Sequence, residues 1–126
     1  MPGTFQGTCL CGSVKYEISD PKSLGICHCT RCQRWVGSGM TVVVVDKTNF
    51  KVLDGQDLIK TYSDAGGAPR NFCSNCGSSL FDDLGEVNAV TAGGLGPDFP
   101  LEVSFHLQVG SKAQWDQIAG DAPQTQ

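Results

Sequence analysis

The chain has 126 residues, with 9 Lys plus Arg against 13 Asp plus Glu, a formal charge of −4, and 40% hydrophobic residues. That length fits one domain, and the acidic balance leaves no basic footprint for a phosphate backbone. No apolar run approaches the roughly 20 residues of a membrane span, and the N-terminus, Met-Pro-Gly-Thr-Phe-Gln-Gly, lacks both the basic and the apolar parts of a signal peptide. The expectation is a cytoplasmic protein with no nucleic-acid or membrane partner. It is read as one domain over residues 1–126, with residues from about 120 to 126 as a peripheral tail.

In chain order, Val14–Ile18 alternates apolar and polar residues and reads as a half-buried strand ended by Asp20-Pro21. Residues 30–36 carry the clearest helix signal. Met40–Val45 is a β-branched run, the mark of a strand buried on both faces. Phe50–Leu53 and Leu58–Tyr62 follow as strands about the Asp54-Gly55 turn signal. A glycine-rich loop covers residues 64–69. Arg70–Cys73 and Ser78–Phe81 read as strands on either side of a turn. Residues 86–92 and 102–109 alternate well enough to be strands, with a Gly- and Pro-rich loop between them and a turn over 112–117. Gly accounts for 16 residues, so turns are many and long helices few. The fold class is therefore mainly β, a small domain of several short coiled antiparallel sheets with little helix.

Cysteine is the compositional outlier, with 7. An odd number cannot close wholly into disulfides, and cytosolic thiols stay reduced. They fall in three groups: Cys9-Leu10-Cys11-Gly12, Cys27-His28-Cys29-Thr30-Arg31-Cys32 and Cys73-Ser74-Asn75-Cys76-Gly77. Close pairs suit zinc, because two thiolates from one tight turn can grip one ion and a structural site closes at four ligands. In the first and third groups Gly directly follows the second Cys. A metal-binding turn often needs positive φ there, which Gly adopts without steric cost.

Cys9, Cys11, Cys73 and Cys76 are therefore assigned to one closed structural zinc site that clips a long loop. Structural zinc contributes about 10–16 kcal/mol in zinc-finger peptides, as much as the whole stability of a small domain, roughly 5–15 kcal/mol. Cys27, Cys29 and Cys32 are left as a triad, followed by Gln33 rather than Gly. Three protein ligands with an open position is the pattern of a catalytic zinc. Three thiolates make zinc a weak Lewis acid, so a soft thiol substrate suits the open position better than a hydrolytic water. The alternatives are a second closed zinc completed by His28 or His106, or a metal-free redox-sensing cluster. Arg31 and Arg34 flank the triad and are candidates to bind the carboxylates of an anionic thiol. His28 and His106 are candidates to pass a proton or to pack. Trp35 and Trp115 read as core or rim packing.

The motifs Gly7-x-Cys9-x-Cys11-Gly12-x-Val14-x-Tyr16, Cys27-His28-Cys29-x-x-Cys32, Arg70-x-Phe72-Cys73-x-x-Cys76-Gly77-Ser78 and His106-x-x-Val109-x-Ser111-Lys112-Ala113-x-Trp115 occur in that order. Together they resemble the glutathione-dependent formaldehyde-activating family, also called the CENP-V/GFA domain. The resemblance implies a mainly β fold with two zinc ions, the second of them labile. Its four-Cys site matches Cys9, Cys11, Cys73 and Cys76, and its catalytic three-Cys site matches Cys27, Cys29 and Cys32. It also implies carbon–sulfur lyase activity on adducts of a small thiol, such as glutathione, with an aldehyde such as formaldehyde (S-hydroxymethylglutathione synthase-like). The readings from other classes are a non-catalytic zinc scaffold and a thiol redox sensor. The oligomeric state is left open.

Overall fold

The computed structural model describes residues 1–63 and 65–126. The expected loop at 64–69 begins at Asp64, which lies outside the described residues. The order is β1 (Thr4–Thr8), β2 (Lys15–Ser19), β3 (Ser23–Cys27), α1 (Thr30–Val36), β4 (Met40–Asp46), β5 (Phe50–Asp54), β6 (Ile59–Tyr62), β7 (Arg70–Cys73), β8 (Ser79–Asp83), β9 (Val87–Thr91) and β10 (Val103–Leu107). Short 3-10 turns follow β4, β5, β9 and β10. The protein is mainly β, as the spacing of strands and turns implies. No helix among the described residues is long and apolar enough to cross a membrane.

Two sheets form. One is β1-β2-β5, and the other runs β10-β3-β4-β9-β8-β7-β6. All pairings are antiparallel except β10 with β3, which is parallel. The apolar run of β4 explains its central place. Its odd positions, Val43 and Val45, enter the main core with Tyr16 and Ile18 of β2 and Val90 of β9. Its even positions, Met40 and Val42, face a smaller core with Cys32, Ala89 and the apolar side of α1. Val43 pairs across the ladder with Val90 and both are fully buried, each contributing about 1.5–3 kcal/mol of burial. Tyr16 stacks on Phe50 at 5.5 Å, and Phe50 meets Phe81 at 4.5 Å, which joins the two sheets.

The strand β3 has no sequence signature, because Gly25 interrupts its apolar pattern. The structure gives the reason: a Cβ at Gly25 would lie 2.2 Å from the Phe105 ring. Phe105, on β10, needs bare backbone opposite it, so β3 trades propensity for close packing. The C-terminal residues are mostly exposed. They are nonetheless held to β10 by the backbone bonds His106 N–H to Pro123 O (2.9 Å) and Thr125 N–H to His106 O (2.8 Å).

Candidate functional site

Among the described residues, two groups of three or more metal-ligating side chains converge, Cys9/Cys11/Cys73/Cys76 and Cys27/Cys29/Cys32, with all sulfurs of a group within 4.8 Å of one another. All seven cysteines are free thiols. The sulfurs of Cys9 and Cys11 lie 3.5 Å apart and those of Cys11 and Cys73 3.9 Å apart. Zinc–thiolate bonds of about 2.3 Å in a tetrahedron place sulfurs about 3.8 Å apart. The donor set and its spacing fit such an ion.

The four-thiol group joins the turn after β1 to the turn between β7 and β8. Gly12 and Gly77 have φ of 80° and 81°, the left-handed backbone expected at both positions. Donors point at the sulfurs. Val14 N–H reaches Cys9 Sγ at 3.3 Å, and the Asn75 amide reaches Cys11 Sγ at 3.3 Å. The Asn75 bond, helped by Ser13, holds the exposed Cys11 thiol down to about 7, and the Ser78 hydroxyl pulls Cys76 down to about 5. Burial pushes Cys73 up to about 11. Donors that favour thiolates at the rim of the cluster are what a thiolate-bound cation requires.

The triad is built differently. Cys27 ends β3, and the Cys29 sulfur caps α1 by accepting from Cys32 N–H at 3.2 Å. Gln33 therefore lies inside a helix, where positive φ has no place, which explains the missing glycine. Its amide donates to His28 O and Ser111 O, both at 2.8 Å, pinning the loop to the segment after β10. A hydrogen bond from Cys32 lowers the Cys27 pKa, and that same bond, with burial, raises that of Cys32.

Arg70, named above only as part of a motif, adjoins the triad. Its guanidinium donates to Cys32 Sγ at 3.8 Å and to Asp82 Oδ2 at 3.2 Å. Arg70 and Asp82 are both buried. Burial works against the Arg70 charge, but the bond to Cys32 and the charge of Asp82 hold its pKa above the ordinary value. Burial raises Asp82 to about 6, with Arg70 opposing. A cavity of about 360 Å³ opens beside it, lined by Arg31, Arg34, Trp35, Tyr62 and Arg70. The expected pair Arg31 and Arg34 thus share one cavity, and Arg31 also donates to Ala65 O at 3.0 Å. Tyr62 and Arg70 are its unforeseen members. The motif containing Arg70 is the only signal for it, since its partners lie on the helix α1 and the strand β8. Trp35 is anchored by Nε1–H to Ser79 Oγ at 3.0 Å, whereas Trp115 is 69% exposed and does not pack as expected.

Neither histidine joins the triad. Both are buried, and they hydrogen-bond each other, Nε2 of His28 to Nδ1 of His106, at 3.0 Å. Burial, then His106, lowers the His28 pKa. The arrangement does not close the triad with an imidazole and leaves it with three protein sulfurs.

The model of the family described as glutathione-dependent formaldehyde-activating enzyme matches residues 4–109. A protein of Schizosaccharomyces pombe named as an uncharacterized lyase is 32% identical over 79 residues, 61% of this chain. That match spans 56% of the yeast protein's own length. A crystal structure of a Rhodobacter sphaeroides protein aligns over 95% of this chain and 99% of its own, with a TM-score of 0.65 and 21% identity, a likeness of fold.

Proposed function

The chain belongs to the glutathione-dependent formaldehyde-activating family, and from that premise we propose that it makes or breaks the carbon–sulfur bond between a small thiol and an aldehyde. In this reading residues 1–126 act as one zinc-binding domain, with a structural zinc on Cys9, Cys11, Cys73 and Cys76 and a second zinc on Cys27, Cys29 and Cys32. When bound at the triad, zinc supplies a position that keeps a soft thiol ionised at neutral pH. The cytoplasm, where such thiols are abundant and cysteines stay reduced, is the proposed compartment.

The observation that carries the reading is the link made by Arg70, which touches the Cys32 sulfur and also lines the arginine-rich cavity. Arg31 and Arg34 offer that cavity two planar forks for the carboxylates of a thiol such as glutathione. Trp35 and Tyr62 supply its apolar walls. Arg70 offsets part of the excess negative charge of three thiolates and holds Cys32 in place. In the forward direction the substrate thiolate sulfur bonds to the aldehyde carbon, the carbonyl electron pair moves to oxygen, and that oxygen takes a proton. In reverse the hydroxyl proton leaves, the carbonyl re-forms and the thiolate departs.

Cys29→Ser and Cys73→Ser test the assignment together. Cys29→Ser is expected to abolish turnover of S-hydroxymethylglutathione while retaining cooperative unfolding and one zinc per chain. Cys73→Ser is expected to unfold the domain. Equal unfolding by both would make the triad structural and leave the scaffold reading. Full activity of Cys29→Ser with peroxide-sensitive thiols would leave the redox-sensor reading.

A further inference from the structure

A second cavity, of about 670 Å³, lies between α1, the two turns of the four-thiol cluster and the 3-10 turn after β9. Its walls include Leu10, Trp35, Val36, Ser79, Thr91 and Gly93. Among the described residues no Asp, Glu, Lys, Arg or His lines it. Cys9 also reaches it, and as a zinc thiolate it would repel a carboxylate. Trp35 lines both this cavity and the arginine-lined one, so the two meet at its indole. That indole is fixed by Ser79, by the Phe72 ring at 5.8 Å and by the Arg70 guanidinium at 5.9 Å.

The helix relates this cavity to the triad. At about 3.6 residues per turn, the side chains of α1 follow around its axis in the order Arg34, Arg31, Trp35, Cys32, Val36. Cys32 thus lies between the two α1 side chains that line the cavity, about one turn (5.4 Å) before them. All three share the smaller core. Two details suit a ligand. The bond between the Ser79 and Thr91 hydroxyls, 2.8 Å long, uses only one of their two protons. Ser79 also accepts from Trp35, so one hydroxyl proton is left for an oxygen of a bound molecule. Gly93 is not left-handed, and a Cβ there would meet nothing within 4 Å. Neither backbone strain nor crowding requires glycine at that place, and its bareness keeps the wall open. The volume lies well inside the range of ligand pockets, about 300–1,000 Å³.

We propose that this cavity holds the carbon group of an uncharged aldehyde larger than formaldehyde, of about the size of a phenyl ring. The arginine-lined cavity on the other side of Trp35 holds the carboxylates of the thiol, so the two cavities sort the halves of the adduct by charge. Formaldehyde carries no carbon group and needs no such space. The inference rests on the thiol–aldehyde reading and names its carbonyl partner. The bond chemistry is unchanged: the thiolate sulfur bonds to the aldehyde carbon, and the carbonyl pair moves to oxygen, which takes a proton from water. In reverse the hydroxyl proton leaves, the carbonyl re-forms and the thiolate departs.

The test is calorimetric titration of the zinc-loaded full chain with three stable thioethers: S-methylglutathione, S-benzylglutathione and S-(4-carboxybenzyl)glutathione. The benzyl conjugate is expected to bind at least about tenfold more tightly than the methyl one. Tenfold is about 1.4 kcal/mol and needs only about 55 Å² of apolar surface removed from water, against about 150 Å² or more for a buried aromatic side chain. The carboxybenzyl conjugate should bind at least about fivefold more weakly than the benzyl one, because no cation meets its charge. Gly93→Leu, which fills the cavity, should bring the methyl and benzyl affinities within about twofold of each other. Leu10→Asp, at a side chain 88% exposed, serves as the second variant should Gly93→Leu fail to fold. It should cut the benzyl preference at least about threefold. Equal affinity for the methyl and benzyl conjugates would overturn this inference and leave the thiol–aldehyde reading standing. A benzyl preference that survives in the folded variants would overturn its placement in this cavity. Undiminished binding of the carboxybenzyl conjugate would overturn the uncharged class. No saturable binding of any conjugate would overturn both this inference and the reading beneath it.

Discussion

Arg70 donates to the sulfur of Cys32 at 3.8 Å from a position only 7% exposed. Its other end is held by Asp82 on the neighbouring strand β8. The three groups form a buried chain of carboxylate, guanidinium and sulfur that begins in the sheet and ends at the triad. Arg70→Ala should therefore cost about 3–5 kcal/mol, because it strands a buried carboxylate. Adding Asp82→Ala should recover part of that loss in urea unfolding. Arg70→Lys keeps the charge but cannot span both partners. It should fold, yet lose triad zinc faster to a chelator than the unaltered protein, followed by chelator absorbance.

Tyr16 gives a pH prediction that is separate from the triad. Burial, aided by the Cys9 charge, raises its pKa from 10.0 to about 12. The folded state then holds its proton more tightly than the unfolded state. Its contribution is complete below about pH 10 and is lost as the pH rises to about 12, a fall of about 3 kcal/mol. Unfolding free energy across that window should show this drop in the unaltered protein and not in Tyr16→Phe.

Gly77 has φ of 81°, and a Cβ there would meet nothing within 4 Å. Gly77→Ala thus isolates the backbone cost of the metal turn, about 1–2 kcal/mol. Thermal unfolding should show a lower midpoint with zinc content unchanged. Gly94→Ala is a contrast, since its Cβ would lie 2.3 Å from Tyr16 Oη. It should destabilise the domain more, through the core.

Arg34 is exposed and lines the cavity beside the triad. Arg34→Gln should raise KM for glutathione about two- to fivefold, the range of a solvent-screened ion pair, with kcat unchanged. Glutathione dimethyl ester should erase the difference between the two proteins, because the carboxylate that Arg34 reads is gone. A fall in kcat alone would place Arg34 outside the binding surface.

Local patterns were legible in the sequence wherever the determining neighbours were local. The helix at 30–36, the β-branched run of β4 and the glycines after Cys11 and Cys76 are fixed by residues within a few positions. The two cysteine groups were legible because thiolates have few other reasons to cluster. What escaped was set by distant partners. The strand β3, next to the edge strand β10, is shaped by Phe105 across the parallel ladder. Arg70 gains its place from Asp82 and Cys32, and the two histidines find each other 78 positions apart. A sequence pattern carries no trace of such pairings, since each partner alone looks ordinary.

The parallel pairing of β10 on β3 has a bearing on how the chain matures. His28 N–H bonds to Leu107 O at 2.9 Å, and Gln33 reaches Ser111 O. As the chain leaves the ribosome, the four-thiol cluster can be gathered once Cys76 has emerged. The triad gains its rigid frame only when β10 and the residues after it arrive. A stalled or truncated nascent chain would thus carry one settled metal clip beside three loosely held thiols. The synthesis of β10 and of the segment through Ser111 is the step at which those thiols pass from exposed, oxidisable groups to a fixed constellation.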